Sequence, residues 1–115
     1  MSYRKGEVVL VLFPDSNLRT AKRRPALVIQ AEGLVTNLPQ TLVAMISSNM
    51  SRQGPLCRVG VAAASRMGRE AGLLMDSVIM CDNIATVRFA EIDRVIGQIT
   101  DLSSIDRAIR NTLRL

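Results

Sequence analysis

The chain has 115 residues, 15 Lys and Arg against 10 Asp and Glu for a net charge of +5, and no histidine. That length encloses one domain, residues 1–115, with a single core, and the missing imidazole excludes Ser-His catalysis, Cys-His catalysis and any histidine-ligated metal. Hydrophobic residues make up 48% but aromatic ones only 3%, so the core is built from Val, Ile, Leu, Ala and Met, and stacked aromatics cannot be the main way of holding bases.

Glu7 to Phe13 is a β-branched, apolar run that opens after Gly6 and stops at Pro14-Asp15-Ser16-Asn17, which predicts a buried strand and a turn. Residues 15–24 read as a polar, basic loop, and Pro25 to Gln30 as a second strand whose proline is tolerated at its first position. Leu34 to Gln40 is irregular, and Thr41 to Ser47 is a third strand ending in the hydroxyl cluster Ser47-Ser48-Asn49. Cys57 to Val61 is a weaker strand, and Ala62 to Gly72 carries no assignable pattern. Ser77 to Cys81 and Arg94 to Thr100 are further strands. From Ser103, with Asp106 three residues later as a capping-type start, Ile105, Ala108, Ile109, Thr112 and Leu113 recur at helical spacing. The opposite face of that helix carries Arg107, Arg110 and Arg114, a solvated face whose cations suit the helix dipole. Short strands with one closing helix predict a mainly β fold, a small, strongly bent sheet or partly open barrel with a C-terminal α-helix against it.

Without histidine, the remaining chemistry is electrostatic stabilisation of a charged transition state by arginine, lysine, carboxylate or hydroxyl. The excess of positive charge points toward an anionic partner, and Arg19, Lys22, Arg23 and Arg24 lie within six residues with no acid among them. Arg24, between the basic loop and an apolar run, is well placed to grip phosphate. Cys57 and Cys81 have no short spacing and no neighbouring base or ligand cluster, so both read as small buried apolar residues, and zinc is not expected. The start Met1-Ser2-Tyr3-Arg4-Lys5 lacks an apolar stretch, and no run approaches the roughly 20 residues needed to span a bilayer; the expected location is the cytoplasm, with reduced thiols.

Five pieces in order, Lys5-Gly6-Glu7-Val8-Val9, Arg24 to Ile29, Val43 to Ser48, Asp76 to Ile79 with Asp82-Asn83 and Thr86, and Ile96-Gly97-Gln98-Ile99, resemble the landmarks of the MazF/PemK (Kid) toxins over nearly the whole chain. The resemblance implies an SH3-like, CcdB/MazF-type β-barrel with short helices, a homodimer, and an endoribonuclease that cuts single-stranded RNA without a metal or other cofactor. It implies attack by the ribose 2′-hydroxyl on the adjacent phosphate, with Arg24 and Ser47 at the catalytic positions. Arg19, Lys22 and Arg23 would track the RNA backbone, beside Ser48 and Asn49. Asp82 and Asn83 occupy the family's acid-amide pair, which reads a base edge or caps a turn. The implied partner is a cognate antitoxin whose flexible, acidic segment covers the basic groove.

Three departures from the family pattern stand out. Met80 takes the place of an arginine that some relatives use in catalysis, Ser47 stands where threonine is frequent, and the loop from Pro14 to Arg23 lacks the usual Gly-Ser-Glu run. Two other readings therefore stay open: a relative that binds RNA without turnover, and a gyrase poison of the CcdB kind, for which the Arg-rich terminal helix supplies no clear apolar anchor.

Overall fold

Val8, Leu27, Ala44 and Ile79 turn one way from their strands and Val9, Ala26, Val28 and Val43 the other, so the β-branched runs build a sheet covered on both faces. The computed structural model describes residues 2–14, 19 and 21–115. Its strands are β1 (Glu7–Pro14), β2 (Ala21–Val28), β3 (Gln40–Ser47), β4 (Arg58–Val61), β5 (Ser77–Arg88) and β6 (Ile92–Gln98). They form one antiparallel sheet in the order β4-β5-β3-β2-β1-β6. The terminal strands β4 and β6 do not pair, so the barrel stays open along that seam.

Helices α1 (Arg66–Ala71) and α2 (Ser103–Leu113) complete the fold. On one face Ile105 and Ala108 of α2 and Ala71 of α1 pack over Leu27, Ala44 and Ile79. The other cluster, Val9, Val11, Ala26, Val28, Val43, Val87 and Ile92, contains strand residues alone. This face is buried because the sheet curls on itself, with Tyr3 and Phe89 of the 3₁₀ turn Phe89–Glu91 packed against it. The single core expected from length is thus two clusters, one on each side of a bent sheet.

Segment α1 packs beside β6. Ser65 Oγ accepts from Gly68 N at 3.0 Å at its start, and Gly72 ends it in left-handed backbone. Glu70 accepts from Thr100 N at 3.1 Å and from Thr100 Oγ1 at 3.0 Å, tying α1 to the end of β6; these hydrogen bonds hold its carboxyl below the usual range. The contact is close because of Gly97, where an added Cβ would lie 2.3 Å from Glu70 O and 2.4 Å from Ala71 C. Both obstacles are backbone, so Gly97→Ala is expected to destabilise the fold by about 1–3 kcal/mol as α1 is driven off β6. A urea midpoint unchanged from wild type would refute this.

Several boundaries differ from those expected. β2 begins at Ala21, pairing Pro14↔Ala21 through Val8↔Leu27 with β1, so Lys22, Arg23 and Arg24 are strand residues and Pro25 is the fifth residue of its strand. Pro25 is accommodated because the β2·β3 ladder begins only at Ala26, so its missing N–H removes no bond to β3. Residues 15–18 and 20 of the expected turn and loop lie outside the described residues. β5 runs to Arg88 rather than stopping at Cys81, and the unassigned stretch before it holds α1. Ser103 is the first residue of α2 rather than its cap: Asp101 Oδ1 accepts from Ser103 N at 3.1 Å, while Asp106 pairs with Lys5 at 2.7 Å. Leu113, expected on the apolar face, is exposed. Cys81 is buried, its thiol pushed up to about 11 mainly by desolvation, but Cys57 is only partly covered.

Candidate active site

The sheet forks. β2 pairs with β3 only at Ala26↔Met45, Leu27↔Ala44 and Val28↔Val43. Beyond Ala26, β2 continues with β1 alone; beyond Met45, β3 continues with β5 alone, through Ile46↔Ile79 and Ser47↔Val78. The two arms diverge and a cleft of about 960 Å³ opens between them. Arg24 stands two residues before Ala26 and Ser47 two residues after Met45. With side chains alternating along a strand, both lie on the face shared by the paired residues Ala26 and Met45, at corresponding places on the two arms.

Both residues line the cleft, as do Arg23, Ser48, Asn49 and Asn83. Arg19, Lys22 and Asp82 do not. Arg19 and Lys22 are exposed outside it, while Asp82 is held in β5 by Arg58, which donates from Nε to Oδ1 at 3.2 Å and from Nη2 to Oδ2 at 2.9 Å. Two lining arginines were missed by sequence reading: Arg52, on the 3₁₀ turn Met50–Arg52 after β3, and Arg94, on β6 opposite Leu10. A basic residue isolated in sequence carries no signal of the cleft it will face.

Electrostatically the cleft is one-sided. Four arginines and no carboxylate line it among the described residues. Arg23 is partly neutralised at the rim by Asp93, 3.1 Å from its Nε. The Arg24 and Arg94 guanidinium groups have no ion-pair or hydrogen-bond partner among the described residues, so their donors are open to an anion. Ser47 Oγ accepts from Asn49 N at 3.1 Å, which orients the hydroxyl and leaves its hydrogen to donate. Asn49 Oδ1 accepts from Ser51 N at 3.1 Å and caps the 3₁₀ turn. Buried Met80 and half-buried Met45 also line it, and Leu74 and Met75 line it while standing exposed. No three His, Cys, Asp or Glu gather as metal ligands would among the described residues, and no helix there is long and apolar enough to cross a membrane.

Arg58, by its hydrogen bond first, holds the Asp82 carboxyl below the usual range. The stabilisation it brings is fully present above the ordinary aspartate value of about 4 and is lost as pH falls through the lower folded value. Thermal midpoints measured from pH 6 down to 2 should therefore fall less steeply for Asp82→Asn than for wild type. Parallel curves would contradict this.

A curled six-stranded sheet, forked over a cationic cleft and backed by a C-terminal helix, defines a small SH3-like β-barrel. Residues 4–113 match the family model of the PemK-like, MazF-like toxins of type II toxin-antitoxin systems, and the chain belongs to that family. Among curated proteins none matches the sequence. Among solved structures, the Mycobacterium tuberculosis toxin MazF-mt6 is similar at 25% identity and a TM-score of 0.73, over 95% of this chain and 97% of that one. A mycobacterial endoribonuclease in complex with its cognate antitoxin superposes with a TM-score of 0.74 at 16% identity, over 99% and 97% of the two chains. A MazE-MazF structure from Deinococcus radiodurans gives 0.70 at 13%, over 97% and 93%. The last two likenesses speak to the fold.

Proposed function

We propose that this toxin is a metal-independent endoribonuclease that cuts single-stranded RNA, halts translation and growth, and is neutralised by a cognate antitoxin. The observation that carries the reading is the fork in the sheet, which sets Arg24 and Ser47 on one face of a cleft lined by arginines. The nucleophile is the RNA's own 2′-hydroxyl, so the protein needs no activated side chain. The O2′–P bond forms, the P–O5′ bond breaks, the hydroxyl proton passes to solvent and the leaving 5′ oxygen takes a proton from solvent. The products are a 2′,3′-cyclic phosphate and a free 5′-hydroxyl. The extra charge on the phosphorane-like transition state meets the Arg24 guanidinium and the Ser47 O–H.

The same cationic cleft suits an acidic antitoxin segment, which would compete with RNA for its arginines, and the working species is a homodimer. The test is to map the ends left on a long unstructured RNA by wild type and Ser47→Ala in excess chelator. Cyclic-phosphate ends from wild type, strongly reduced in the variant, are expected. An intact RNA, with growth untouched on expression, would sink the reading, and RNA bound without new ends would favour a binding-only relative.

A further inference from the structure

Resting on the endoribonuclease reading, we propose that Arg52 is a second catalytic cation of the cleft and that Arg58 with Asp82 is the clamp that positions it. Arg52 Nη1 lies 3.7 Å from the sulfur of Met80. Met80 is the cross-strand partner of Met45, which in turn faces Ala26, so the Arg52 guanidinium is suspended over the same row of the sheet that leads to Ser47 and Arg24. A thioether is a weak, neutral acceptor, and it holds the guanidinium in place without neutralising it.

The neighbouring arginine is used differently. Arg58 gives Nε and Nη2 to Asp82 and donates from Nη1 to the Arg52 carbonyl at 3.0 Å. Its charge is matched by the carboxylate while it fixes the backbone of the 3₁₀ turn; Arg52 keeps its charge for the cleft. Arg94 is the competing candidate and lines the same cleft, but no described contact fixes its guanidinium, whereas Arg52 is held against Met80 and its turn is pinned by Arg58.

A second cation has a distinct use. A phosphodiester carries one negative charge in the ground state and approaches two in the pentacoordinate transition state. A cation that meets the first charge binds both states, whereas one that meets the charge as it develops raises the rate.

The experiment compares single-turnover cleavage of an unstructured RNA in excess chelator with binding of a 2′-O-methyl RNA of the same sequence, folding of each variant being verified by circular dichroism. Arg52→Ala is expected to slow cleavage by about 10²–10³-fold while weakening binding by less than about 10-fold. Arg52→Lys should retain part of the rate, since the charge stays but the planar fork is lost. Because the two side chains touch, Met80→Arg in the Arg52→Ala background should restore at least about 10-fold of the lost rate by returning a guanidinium to the same place. As a positioning residue, Asp82 should show its effect only through Arg52: Asp82→Asn slows wild type but not Arg52→Ala. Arg52→Ala cutting within about threefold of wild type, or losing affinity by the same factor as rate, overturns the proposal and leaves the endoribonuclease reading standing. A wild-type protein that does not cut removes both.

Discussion

Arg24→Ala is expected to lower the rate of RNA cleavage by about 10²–10³ with little change in thermal stability. Arg24 is exposed and unpartnered among the described residues, so its removal opens no cavity and leaves no buried charge unpaired. What disappears is the guanidinium donor on the arm of the fork opposite the one that carries Ser47. Because a phosphate contact also contributes to ground-state binding, affinity should fall too, but by less than the rate. Arg24→Lys should recover only part of the loss, since an ammonium cannot give two parallel hydrogen bonds to a phosphate. Single-turnover rates with RNA in excess chelator, set beside melting curves, check both halves. Unchanged cleavage, or a collapse in melting temperature that accounts for the loss, would contradict the assignment.

Ile79→Ala is expected to reduce folding stability by about 2–5 kcal/mol. Ile79 is 0% exposed, lies in the cluster covered by α1 and α2, and is the cross-strand partner of Ile46. Against a total stability of about 5–15 kcal/mol for a domain of this kind, the loss is a large share. It would also loosen the site, because Ile79 supports the arm of β3 and β5 that carries Ser47 and Met80. Val35→Ala is the matching control: Val35 is 79% exposed, and its truncation should change stability by no more than about 0.5 kcal/mol. Urea midpoints for the two variants decide the point, and similar values for both would show that the Ile79 site collapses without cost.

The lining of the candidate cleft was legible in part. Ser47 marks itself because an apolar strand ends there in hydroxyl and amide residues, and Arg24 because a cluster of cations meets an apolar run. The structure brings these two together with Ser48, Asn49 and Asn83. Asp82 looked equivalent to Asn83 in sequence. A register shift between Ala44 and Met45 leaves residues 81–83 of β5 outside the ladder, and across it Asp82 turns to Arg58 while Asn83 reaches the cleft. Such an irregularity is a matter of strand pairing and has no local signature. The same holds for α1, whose six residues are too few to display a period.

Read alone, the residue order determined that a series of apolar strands precedes one closing helix, the absence of imidazole chemistry and the excess of positive charge, because alternation, helical period and composition act over short distances along the chain. The fork, the convergence of Arg52 and Arg94 on the cleft and the different contacts made by Arg52 and Arg58 were decided by tertiary structure. Each depends on which strand lies beside which and in what register, and those pairings join residues tens of positions apart.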